Sequence, residues 1–77
     1  MTGDDLDRAL RALTRRHPFR PFHIEFISGD RVLVSHPESI DRQGEVFLYR
    51  GPDWGHRIFA AVGVCQLIAP PPAATPG

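Results

Sequence analysis

Residues 22–35 constrain the fold more than any other stretch, because they spell two short strands around a glycine turn. Phe22, Ile24 and Phe26 alternate with His23 and Glu25, which is the period-two pattern of a sheet with one dry face. Ser28, Gly29 and Asp30 supply turn chemistry, and Val32 and Val34 resume the alternation after it. A chain built on this β-hairpin packs its other segments on the hairpin or extends it.

Ahead of the hairpin, Leu6, Ala9, Leu10 and Leu13 fall at i, i+3, i+4 and i+7, which predicts an amphipathic helix over about 4–16. Thr2 or Asp4 can cap it, and Asp4, Asp5 and Asp7 sit at the positive end of its dipole. Pro18 disfavours helix at His17. Asp4 with Arg8 and Asp7 with Arg11 form i,i+4 pairs, each contributing a few tenths of a kcal/mol. A helix of this length is marginal alone, so its leucine stripe must dock on a face or an open end of the sheet. Pro18 and Pro21 hold the following segment extended around Phe19.

Five strands are expected, over about 22–28, 31–35, 45–50, 56–62 and 64–69, in a single domain of residues 1–69. Residues 36–40 read as a turn or a single helical turn, and residues 41–44 and 51–55 as two further turns. Val46 and Leu48 lie on one face of the third strand and Phe47 and Tyr49 on the other, so both faces are expected to be partly covered. The expected core is Phe22, Ile24, Phe26, Val32, Val34, Val46, Leu48, Ile58 and Leu67. Residues 70–77, half of them proline, are expected to form a disordered tail.

Seventy-seven residues bury too little surface for comfort: a chain of this size hides only about 60% of what it exposes when unfolded. With one cysteine no intrachain disulfide can compensate, so association with another subunit is expected. Cys65, within an apolar run, is read as a small core residue.

The fold class is therefore mainly β: an N-terminal α-helix followed by a five-stranded, strongly bent antiparallel sheet or small barrel. The order resembles the Sm-like (SH3-like) fold of the bacterial RNA-chaperone family, through the helix at residues 6–13, the first strand and glycine turn at residues 24–31, and a last strand at residues 64–70 running into proline. The resemblance implies an RNA-binding ring, although residues 60–64 (Ala-Ala-Val-Gly-Val) stand where that family carries its polar and basic RNA-contacting motif. Arg20-Pro-Phe-His-Ile, with the later Val-Ser-His36-Pro-Glu38, also resembles a group of short uncharacterised bacterial proteins.

No enzyme signature stands out. His17, His23, His36, His56 and Cys65 show no ligand spacing on a common element, and Ser28, Ser35 and Ser39 lack a glycine elbow. His36 and Glu38 flank Pro37 and are read as shaping a turn by hydrogen bonds to the backbone. No catalytic residue, metal or cofactor is expected. The candidate contact residues for nucleic acid or a partner are Arg8, Arg11, Arg15, Arg16, Arg20 and Trp54, with Trp54 read first as a lid on the core. All nine basic residues are arginine, yet nine acids balance them. The Asp-rich start and the absence of a span-length apolar run lead to the expectation of a cytoplasmic protein without membrane contact. The expected function is a non-enzymatic module that self-associates, with a further protein partner possible, and an Sm-like RNA-binding ring as the alternative.

Overall fold

The computed structural model describes residues 1–51 and 55–70. Helix α1 spans Gly3–Thr14. Of the two candidate caps it uses Thr2, whose hydroxyl accepts from the Asp5 N–H at 3.1 Å. It ends two residues earlier than the arginines suggested, where the Arg15 N–H closes on the Arg11 carbonyl.

Among the described residues six strands follow: β1 (Phe22–Phe26), β2 (Arg31–Val34), β3 (Ile40–Gln43), β4 (Val46–Arg50), β5 (His56–Ala60) and β6 (Val64–Ile68). They form two three-stranded antiparallel sheets, ordered β2-β1-β6 and β3-β4-β5, rather than one bent five-stranded sheet, and among the described residues no ladder closes them into a barrel. The expected excursion after β2 is a 3₁₀ turn at Pro37–Ser39, and a second 3₁₀ turn at Ala61–Gly63 joins β5 to β6.

The additional strand is β3, where a turn was expected over residues 41–44. Its sequence, Ile-Asp-Arg-Gln, has one apolar residue and weak strand propensity. Pairing to β4 through the two-residue turn at Gly44 and Glu45 makes it a strand, with Gly44 at φ 63°. As an edge strand it tolerates charge. Gly29, at φ 96°, performs the same service between β1 and β2, where Phe26 and Asp30 close the turn.

One core lies between the sheets and under the helix. Leu6 and Leu10 meet Phe22, Ile24, Phe26 and Val34 from the first sheet and Phe47 and Tyr49 from the second, with Ala61 and Val64. Phe59 bridges the sheets, edge-on to Phe26 at 5.0 Å and stacked on Phe47 at 5.7 Å. Val32 and Leu67 pack at its margin. Three expected core residues do not belong to it: Ile58 is 70% exposed, Val46 is 40% exposed, and Leu48 shares their outward face. The reason is size. Where both faces of a strand are apolar, the face bearing the larger aromatic surface wins the interior, and Phe47, Tyr49 and Phe59 outweigh Val46, Leu48 and Ile58. Cys65 is likewise exposed rather than buried, because Val64 holds the inward position of that strand.

Candidate interaction surface

The outer faces of the two sheets differ in chemistry. On the first, Glu25 of β1 accepts from Arg31 Nε at 2.9 Å and from Gln66 Nε2 at 2.7 Å, a row crossing all three strands. Those two hydrogen bonds, Gln66 first and Arg31 second, hold the Glu25 carboxyl below its ordinary range against the opposing effect of burial. On the second sheet, Leu48 lies beside Ile58 and Val46 beside Ala60, all facing outward, with Asp41 next to Leu48. That face is apolar across the middle of β4 and β5 and polar at the end where Arg50 stands beside His56.

The sheet edges differ too. The outward-turned Leu33 carbonyl of β2 accepts from Tyr49 Oη, so the second sheet occupies that edge. Burial raises the Tyr49 pKa. Beside β3 stands α1: Arg42 reaches Asp4 at 3.2 Å and Asp7 at 3.8 Å, and its guanidinium lies 5.5 Å from the Phe47 ring centroid. Asp7, Arg11, Asp41 and Arg42, with Leu10, Ile40 and Phe47, line a cleft whose charges neutralise one another. β6 leads into Pro70, and Pro71 and Pro72 follow in sequence, none of them able to donate to a ladder.

β5 is different. The Gly51 N–H donates to the Gly55 carbonyl at 2.7 Å, and hydrogen-bonded pairs alternate along an antiparallel ladder, so Tyr49 with Arg57 and Phe47 with Phe59 are the bonded pairs below it. The backbone groups of His56 and Ile58, and the Ala60 N–H, therefore point away from β4. None of these has a hydrogen-bond partner among the described residues.

The arginines singled out in the sequence do not converge. Arg8, Arg11 and Arg15 are exposed on α1, with Arg11 paired to Asp7 at 3.0 Å. Arg8 and Arg15 have no ion-pair partner among the described residues, while Asp4, expected to pair with Arg8, meets Arg42. Arg16 donates to the Pro70 carbonyl at 3.0 Å, a structural tie between the helix end and the last strand's exit. Arg20 is exposed on the approach to β1. Trp54 lies outside the described residues, as does the tail beyond Pro70. The His36 and Glu38 side chains are exposed, and the turn they flank is shaped by backbone groups: Ser39 N–H to His36 carbonyl, and Arg50 to the Glu38 carbonyl. Among the described residues no group of three or more His, Cys, Asp or Glu side chains is placed to hold a metal, and no helix is long and apolar enough to cross a membrane.

Sequence reasoning missed the outward face formed by Val46, Leu48, Ile58 and Ala60. Its signal was present in the apolar residues on both sides of β4 and β5, which leave one face without cover in a thin domain. Compared with known protein families, with curated proteins and with solved structures, the chain matches none.

Proposed function

We propose that the protein is a non-enzymatic β-rich interaction module whose first partner is another copy of itself. One observation carries this: an edge strand whose outer backbone groups have no partner among the described residues, β5, coincides with an outward apolar face on which Ile58 is 70% exposed. Open edges and exposed apolar patches are both surfaces that proteins cover, and here they adjoin. Small size points the same way, since a second copy enlarges the buried area without adding sequence. Sedimentation velocity from roughly 1 µM to roughly 1 mM tests it: the weight-average mass should rise with concentration. A monomer across the whole range overturns the proposal.

The finer fold reading, two halves of a small Sm- or SH3-like barrel, belongs to the same proposal. It is supported by the return of β6 to pair with β1, by the 3₁₀ turn before the last strand, and by the Tyr49 link between sheets. The alternative function, RNA binding by a ring, draws on the exposed Arg8 and Arg15, which have no ion-pair partner among the described residues. If it holds, RNA affinity falls steeply with salt, and replacing Arg8, Arg11 and Arg15 together by alanine flattens the log-log slope by up to about three units in the duplex limit. The balanced charge favours weak binding near physiological salt and little effect of the triple substitution.

A further inference from the structure

We infer that β5 is an isologous dimerisation edge, at which two copies pair antiparallel with Ile58 on the twofold axis. The inference rests on the self-association proposed above and adds its surface, symmetry and register.

The register follows from the chemistry of five residues. Opposed residues in an antiparallel pair share a face, and a twofold normal to the sheet must centre on one residue of each copy. Centred on Ile58, the outward groups match: each Ile58 N–H meets the other copy's Ile58 carbonyl, and each Ala60 N–H meets the other copy's His56 carbonyl. His56 then opposes Ala60 and Arg57 opposes Phe59, so no like charges face each other. Centring on Arg57 sets two arginines opposite each other, crowding side chains that each already hold Asp30 at 3.0 Å and lie over Phe26. Centring on Phe59 leaves His56 without a partner.

The side chains support the same axis. Leu48 and Ile58 are neighbours on the outer face. Two copies joined at Ile58 therefore make one apolar row, Leu48, Ile58, Ile58, Leu48, ending at Asp41 on either side. An apolar centre with a charged rim is the usual anatomy of an interface. The three-stranded sheet becomes six-stranded and its open edge disappears. The other edges are less suited to a second copy: Tyr49 covers β2, Arg42 bridges β3 to α1, and proline follows β6.

The test uses the full chain with Cys65→Ser, so that one introduced thiol reports on its own position. Ile58→Cys should form an interprotomer disulfide under copper phenanthroline, since opposed residues of a bonded antiparallel pair lie about 5.5 Å apart at Cα, within disulfide range. Val62→Cys, equally exposed at 74% but off the strand, measures random collision. The expected result is cross-linking at 58 faster than at 62 on the order of tenfold or more. In a separate arm, Ile58→Lys should raise the dimer dissociation constant on the order of tenfold or more, by opposing two charges across the axis. Circular dichroism confirms that the variant is folded, and Ile58→Thr replaces it if it is not. A wild-type protein that self-associates but cross-links no faster at 58 than at 62, keeps its affinity with Ile58→Lys, or assembles into larger rings overturns this inference and leaves the self-association proposal standing. A wild type that stays monomeric overturns both.

Discussion

The two sheets of this small domain solve the same burial problem in opposite ways. In β2-β1-β6 the inward face is apolar and the outward face carries the polar row of Glu25, Arg31 and Gln66. In β3-β4-β5 the middle of β4 and β5 is apolar on both faces, and the domain has one interior to offer. Phe47, Tyr49 and Phe59 take it, and Val46, Leu48, Ile58 and Ala60 are turned out. A sheet with one dry face is complete as a surface of the monomer, whereas a sheet with two is complete only when something covers the second. This contrast is why the proposed contact lies on the second sheet.

The contrast breaks most readily at its largest residue. Phe47→Ala should destabilise by about 3–5 kcal/mol, a large share of the stability of a domain this size, because it empties the stack beneath Phe59. Ile58→Ala, measured by urea unfolding at a concentration where the chain is monomeric, should change stability by no more than about 0.5 kcal/mol. Equal costs at the two positions would mean that the inward and outward faces are assigned the wrong way round.

Tyr49→Phe probes the join between the sheets and should cost about 0.5–1.5 kcal/mol, through the hydrogen bond lost at the Leu33 carbonyl. It should also change the alkaline limb of stability. Burial raises the Tyr49 pKa, so its contribution is intact below the unfolded value near about pH 10 and is lost as pH rises through the higher folded value. Because the chain has one tyrosine and no lysine, that limb should be largely absent in the phenylalanine variant when unfolding is followed against pH.

The smallest effect sharpens the polar side of the comparison. Hydrogen bonds from Gln66 and Arg31 lower the Glu25 pKa, so their contribution is present above the unfolded value near about pH 4 and is lost as pH falls through the lower folded value. Glu25→Gln should flatten the acid limb of the stability curve without altering dimer affinity. A change in self-association with this variant would move the contact to the first sheet.

Much of the architecture was legible from residue order. The leucine spacing from Leu6 to Leu13 and the stop signal at Pro18 placed the helix, and the alternation from Phe22 to Val34 placed the hairpin and the inward face of the first sheet. These readings succeed because each depends on local periodicity with a single apolar side. β3 was not legible, because the strand character of Ile40-Asp-Arg-Gln43 comes from its pairing with β4 and not from its own composition. The position of Cys65 was hidden by its apolar neighbours, since a short run on an edge strand gives no phase.

The candidate surface was the least legible part. Arg8, Arg11, Arg15, Arg16 and Arg20 are conspicuous in sequence, yet Arg11 and Arg16 are spent on Asp7 and the Pro70 carbonyl. Ile58 is inconspicuous among apolar residues and becomes significant only once its side chain faces outward and its backbone lies on an open edge.

Sequence by itself determined the class of this protein: one helix, an antiparallel hairpin at its centre, strands with tight turns, and too few residues to bury all of its apolar surface. Those properties follow from periodicity, turn chemistry and size, which are local or additive. Tertiary structure alone decided that the strands divide into two sheets, that the aromatic faces of β4 and β5 point inward, and that the outer backbone groups of β5 have no partner among the described residues. These are outcomes of competition between segments for one small interior, and a competition is settled by the relative size of all the contestants together rather than by the pattern of any one.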